Sequence, residues 1–430
     1  MADPTIRQAV DTALGRIGIS NGDMHALIHV DSVSARNQAN NLDLPHARRG
    51  PLFGTTFVAK DLIDVAHQPT QGGSRLFGQR QAKEDASCVE RLKSAGAVVL
   101  GKANMHELAV GDAVNPWFGQ VINPLSMSHG TGGTSSGSAA AVAGGLCSFA
   151  LGTDSGGSNR SVAAACGLYG YKPTNGIIAC DGILPTAPTM DTVGIIASAP
   201  ELVSQCLRVL TDDGTTQAHE ETLAGRTFAR MNNLVTSPVD GAVSDAMELV
   251  FASIGRRGGK VVVLDVHEPA PLAGAGVAIL RFEFAQFYGE RIDRSAGNVG
   301  PAVHAFLAAS RQISTGQYED SRAIRAEHQA LWAEMLAEVD GFVSPTAPGL
   351  APDLRAEMTN VNGTLVPYGA AGAEFRMWAN TIGIPAIAVP ARRANGLPAS
   401  VQLAGPAHSD RLLLNLAAAL GRAMTEEIAA

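Results

Sequence analysis

The sequence predicts an α/β fold, with helices layered on a mixed or parallel sheet, and three observations carry that reading. Short apolar segments of strand character recur along the chain, among them 97–102 (AVVLGK), 147–154 (CSFALGTD) and 260–266 (KVVVLDV). Between them lie segments whose apolar residues fall at three- and four-residue spacing, the helical period. The two kinds alternate, as layered α/β domains require. The chain of 430 residues is long enough for a large core. It shows no internal repeat and no boundary signal, so the simplest organisation is a single domain over 1–430.

In chain order, helices are expected over 5–17 and 24–40, and a strand running into a turn over 55–66. Residues 85–96 read as a helix with Asp85 near its start and Gly96 as its stop. The strand 97–102 follows, then a tightly packed helix at 138–145 (SAAAVAGG) and the strand 147–154, which runs into a glycine turn. The polar, acidic stretch 211–224 reads as a surface connection. After the strand 260–266, a charged amphipathic helix is expected from Tyr318 to Val339. Residues 385–406 read as two strands joined by a turn around Ala394-Asn395-Gly396, and 410–424 as the last helix.

Apolar residues make up 46% and charged residues 17%, the balance of an ordinary globular protein. A net charge of −8, without a basic run of five or more, argues against nucleic acid as a partner. The apolar runs are too short and too interrupted to span a bilayer. The first residues lack the basic and apolar regions of a signal peptide, so the cytoplasm is the expected location. Cys88, Cys147, Cys166, Cys180 and Cys206 have no C-x-x-C spacing and are expected as buried free thiols, not disulfides or metal ligands.

One stretch concentrates glycine and hydroxyl residues: GGTSSGSAAAVAGGLCSFALGTDSGGS, Gly132 to Ser158. A phosphate cradle does not account for it, since no lysine follows Gly137 or Gly157 and G-x-G-x-x-G is absent. A nucleophile elbow is matched in letters by 133–137 (GTSSG), but a loop precedes it where that motif needs a strand. The remaining explanation is a hydroxyl nucleophile activated by a neutral lysine. Lowering a lysine pKa from about 10.4 to near 7 costs roughly 4.6 kcal/mol, which demands burial. Lys60, in the apolar strand context TTFVAKDLID, fits that demand. The ordinary reading of such a lysine is a strand-end side chain snorkelling to water.

Several segments together resemble the amidase signature family. GPLFGTTFVAKDLIDVAHQPTQGGS is similar to its lysine segment, and DASCVERLKSAGAVVLGKANMHELAVG to the segment that follows. The stretch from Gly132 to Ser158 is similar to the signature itself and CGLYGYKPTNG to its continuation. SPTAP (344–348), NTIGIPAIAVP (380–390) and GLPASVQLAGP (396–406) match towards the C-terminus. The likeness is dense over about 50–194 and returns over 340–425, while about 210–335 carries no motif and is expected to hold variable substrate loops.

The resemblance implies a large mixed central sheet covered by helices on both faces. It also implies a Ser–cis-Ser–Lys triad, which falls here on Ser158 as nucleophile, Lys60 as base and Thr134, 24 residues before Ser158, as the relay hydroxyl. Ser135 is the rival for the relay. Ser158 would attack an amide carbonyl and form an acyl-enzyme, with the backbone N–H groups of Ser155, Gly156 and Gly157, and of Ser158 itself, as the oxyanion hole. Gly132, Gly133 and Arg160 are substrate-binding candidates, although structural pairing near the nucleophile loop is the first expectation for Arg160. No metal or organic cofactor is implied. The implied partner is a small carboxamide, with a homodimer as the default assembly.

The chain departs from the family pattern at Thr134, where the family has serine, at Thr131, where many members have proline, and at Asn159 and Val162 after the nucleophile. His106, Glu107 and His129 lack metal-ligand spacing, Asp61 and Asp154 read as backbone anchors, and Lys172 reads as structural. The alternative function is the amidase subunit of a tRNA-dependent amidotransferase, a partner-dependent enzyme that is generally longer, or a weakly active relative.

Overall fold

A computed structural model describes residues 5–47, 49–211 and 222–429. Eleven strands form one sheet in the order Leu27–Val30, Val98–Ala103, Thr56–Lys60, Phe149–Thr153, Val193–Ala197, Tyr169–Lys172, Ala386–Ala394, Leu397–Ala404, Gly341–Pro345, Thr227–Met231 and Lys260–Leu264. Thr56–Lys60 and Thr227–Met231 are each parallel to both neighbours, and the remaining pairs are antiparallel. The sheet is therefore mixed, as the resemblance implied.

Side-chain alternation along the strands divides the core between two faces. Phe57 and Ala59 join Phe149 and Leu151 on one face, under the helices Ser87–Ser94, Pro200–Leu210, Gly241–Arg256 and Asp410–Ala429. Phe57 and Phe149 are register partners and stack with centroids 5.2 Å apart. Val58 and Ala150 point the other way, towards the helices Ile6–Met24, Ser136–Ala143 and Ser158–Cys166. Lys60 shares the parity of Val58. Strand period alone thus aims the lysine at the two helices that begin just after Thr134 and at Ser158.

The helix Ser136–Ala143 answers why this stretch carries so little side chain. A Cβ on Gly137 would sit 2.2 Å from the Ala26 carbonyl oxygen and 2.5 Å from the Asn104 nitrogen. The helix touches neighbouring backbone, and only small residues allow that approach.

The expected helix over 24–40 is divided. The first helix runs on to Met24, His25 ends it in the left-handed conformation, and Leu27–Val30 pairs with Val98–Ala103 as the sheet edge. Asp31 then caps the helix Ser32–Leu42, accepting from the Ser34 N–H at 2.9 Å. Over four residues, helical and strand periods are not distinguishable by apolar spacing. The charged helix expected over 318–339 runs from Thr315 to Met335, started by a capping box between Ser314 and Gln317. The polar connection at 211–224 lies mostly outside the described residues. Beyond it, a 25-residue helix, Ala270–Arg294, and the strand Thr227–Met231 are elements that the sequence pattern did not suggest. All five cysteines are free, four of them buried and Cys180 half-buried.

Candidate active site

Three segments distant in sequence meet at the end of the strand Thr56–Lys60. Lys60 is fully buried, and its Nζ lies 2.9 Å from Thr134 Oγ1, 3.0 Å from Ser135 Oγ and 2.9 Å from Thr153 Oγ1. Thr134 Oγ1 is in turn 2.7 Å from Ser158 Oγ. Ser135 Oγ donates instead to the Thr153 carbonyl at 3.1 Å. Of the two rival hydroxyls, Thr134 therefore stands between lysine and serine. Thr134 and Ser158 are half-buried, so this line of polar atoms runs from the core towards the surface.

Burial pushes the Lys60 amine down from its ordinary value to about 7, against the opposing pull of Asp154 and Asp191. All three partners of Nζ are hydroxyls, which can donate as well as accept, so a neutral amine is satisfied there. Lys172 is a useful contrast. It is equally buried and also pushed to about 7, but its Nζ donates to the Pro173 carbonyl (2.8 Å), Asn175 Oδ1 (2.9 Å) and the Ile384 carbonyl (3.0 Å). Those oxygens only accept, and serving all three takes the three protons of an ammonium.

The loop before Ser158 is held by a buried ion pair. Arg160 Nε and Nη2 each reach an Asp154 carboxylate oxygen at 3.1 Å. Its other donors go to Asn380 Oδ1 (2.6 Å), Gln402 Oε1 (3.0 Å) and the Arg376 carbonyl (3.1 Å). All five guanidinium N–H groups are thus spent inside the protein, and Arg160 has none left for a substrate. Burial alone would raise the Asp154 carboxyl, but the Arg160 charge and the hydrogen bonds outweigh it and hold the group well below the usual carboxylate range.

Asp154 Oδ1 also accepts the Gly157 N–H at 2.7 Å. That donor, expected at the oxyanion hole, is already committed to a carboxylate. The N–H groups of Ser155, Gly156 and Ser158 have no acceptor among the described residues. Gly157 has φ 110°, and a Cβ there would lie 2.6 Å from Arg376 Nε. Gly132, with φ 74°, lies against the Tyr368 ring, and Gly133 lies against Ser161. No cis peptide bond occurs among the described residues, contrary to the cis bond implied before the relay hydroxyl. Thr134 meets both partners from a trans backbone.

Sequence reasoning missed several members of this site. Thr153 completes the lysine's shell, and Asn380 Nδ2 donates to Asp154 Oδ1 at 2.8 Å and to the Asp154 carbonyl at 2.9 Å. Asp191 accepts from the Ser155 hydroxyl and from the Thr186 N–H at 2.8 Å, anchoring the loop from its other side. Asn380 and Gln402 sit in two of the C-terminal motifs, and their signal was a polar side chain inside an apolar strand or helix. His106 Nδ1 meets the Gly111 carbonyl at 3.1 Å, and burial lowers its pKa to about 4. No cluster of three metal-ligating side chains is found among the described residues. Nor is any helix among them long and apolar enough to cross a membrane.

The amidase family profile matches residues 8–414. The chain belongs to the amidase signature family. Among members of that family, it is 32% identical over 413 residues to a glutamyl-tRNA(Gln) amidotransferase subunit of Halobacterium salinarum, covering 87% of this chain and 96% of that one. It is 30% identical over 443 residues to a fatty acid amide hydrolase of Medicago truncatula, covering 96% of this chain and 72% of that one. A crystal structure of an amidase superposes with a TM-score of 0.90 at 27% identity, over 97% of this chain and 96% of the other. The near-complete cover of the Halobacterium protein removes length as an argument against the amidotransferase reading.

Proposed function

We propose that this amidase signature protein hydrolyses a small carboxamide through an acyl-enzyme on Ser158. The observation that carries the reading is the unbroken contact from Ser158 through Thr134 to a buried Lys60 whose amine is half neutral near pH 7. In this scheme the neutral amine takes the Thr134 proton while Thr134 takes that of Ser158. The serine oxygen then attacks the amide carbon. The oxyanion is received by the free N–H groups of Gly156 and Ser158, with that of Ser155 beside them. Such donors are worth about 3–4 kcal/mol each in comparable sites. The proton returns along the same line to the leaving nitrogen, the C–N bond breaks, and ammonia or an amine departs. Water, activated by the same relay, then cleaves the ester and frees the acid. The scheme draws on no metal or organic cofactor.

A second reading is favoured by one observation, the 96% cover of an amidotransferase component. There the same acyl-enzyme would form only within a complex. Ammonia release from simple amides by the isolated chain, with Ser158→Ala as the control, separates the two. Turnover that the substitution abolishes supports the hydrolase. Turnover appearing only when partner proteins are added supports the amidotransferase role. A fluorophosphonate that labels no serine refutes both.

A further inference from the structure

Arg376 lies beside the nucleophile loop with an unbalanced charge. It is 4% exposed and sits in the first turn of the helix Ala373–Ile382, its guanidinium folded back over Gly372. Nη1 donates to the Thr346 carbonyl at 2.8 Å. Nε is buried without an acceptor, and Nη2 has none among the described residues. No carboxylate among those residues comes within 4.0 Å of the group. Asp154, the carboxylate whose charge it feels, is already gripped on both oxygens by Arg160. The positive end of the helix dipole lies under the guanidinium, which makes a bare cation there still less favourable. Burial accordingly pulls the Arg376 pKa down to about 10.

A buried cation with spare donors at a helix N-terminus suits an anion. Its position ties that anion to the reacting bond. Arg376 packs against Gly157, the residue before the nucleophile. Its guanidinium carbon lies 5.9 Å from the centroid of the Tyr368 ring, which itself covers Gly132, two residues before the relay hydroxyl. Thr346, whose carbonyl holds Nη1, also has a buried hydroxyl with no partner.

We propose that Arg376 receives a carboxylate carried by the amide substrate, so that the preferred substrates are small monoamides of dicarboxylic acids. This substrate class rests on Ser158 being the nucleophile. Nη2, which has no acceptor among the described residues, can donate to a carboxylate oxygen, whereas a neutral amide would leave the buried charge unanswered.

The test is calorimetric binding to the full chain carrying Ser158→Ala, which holds substrate without turnover. The probes are succinamate and glutaramate, each against its uncharged methyl ester. At least one acid is expected to bind tenfold or more tighter than its ester, and Arg376→Met, added to Ser158→Ala, is expected to weaken that acid about 100-fold. Equal binding of acid and ester for both pairs overturns the proposal, and this arm needs no change at Arg376. Binding of the acid within threefold in the two variants overturns it as well. Failure of the hydrolase reading shows separately, as absent fluorophosphonate labelling of Ser158 in the unsubstituted chain.

Discussion

Replacing Lys60 with methionine tests the centre of the mechanism, because the two side chains fill similar space and only the amine is lost. The amine's fall from 10.5 to about 7 corresponds to a net of about 5 kcal/mol between its two protonation states, driven by burial in the strand Thr56–Lys60 against the opposing pull of Asp154 and Asp191. At pH 7 about half of the molecules hold a neutral lysine, where an ordinary lysine would offer roughly one in 3,000. The rate of Ser158 labelling by a fluorophosphonate, which needs no knowledge of the natural substrate, should rise about tenfold per pH unit below about 7 and level off above it. In Lys60→Met that slope should vanish and the plateau fall by about 10²–10⁴, the usual worth of a positioned base.

Stability gives an independent reading of the same amine. Below pH 7 the lysine is charged in both folded and unfolded chains, and the fold bears the full cost of burying the charge. Between about 7 and 10.5 only the unfolded chain holds the proton, so stability rises with pH across that window. Lys60→Met should flatten this rise relative to the unsubstituted chain, measured as denaturant midpoints from pH 6 to 10. Lys172 titrates alike in both proteins and cancels in the difference. A variant that labels within tenfold of the original at pH 8, or an original profile flat from pH 5 to 9, would refute the reasoning.

The remaining predictions concern the relay and the frame around it. Thr134→Val should abolish labelling by about 10³-fold, Thr134→Ser should keep it within tenfold, and Ser135→Ala, which leaves the Thr134–Ser158 contact in place, should cost much less than Thr134→Val; equal losses at 134 and 135 would undo the assignment. Asp154→Asn leaves the buried Arg160 uncompensated and should lower unfolding free energy by about 3–5 kcal/mol at pH 7 in a denaturant titration. Because the Asp154 carboxyl is depressed, its contribution is complete above the ordinary 3.8 and is lost as pH falls through the lower folded value, so the two proteins should converge in strong acid. Lys172→Met strands two buried carbonyls and the half-buried Asn175 Oδ1 and should cost about 2–4 kcal/mol of stability, with the labelling midpoint still near pH 7.

What was legible of the site in the sequence came from several segments taken together. The lysine after Phe57, Val58 and Ala59 reads on its own as a strand end reaching water; the resemblance carried by several segments singles it out, and strand parity then decides which face it meets. The pairing of two hydroxyls 24 residues apart also came from the resemblance, and the contact of Thr134 with Ser158 at 2.7 Å is what separates it from Ser135. By contrast, the strand Leu27–Val30 was hidden because four residues cannot separate a period of 2 from one of 3.6. The Gly157 donor was carried over from a resemblance, and a resemblance transfers residue identities without the contacts that commit them elsewhere. Asn380 and Gln402 stood in recognisable motifs, yet their roles are contacts with Arg160 across 220 and 242 positions, a distance that no local pattern encodes. The two arginines make the point most sharply. Their side chains are chemically identical. Only a count of acceptors, five for Arg160 and one for Arg376, distinguishes a residue that frames the loop from one that awaits a ligand.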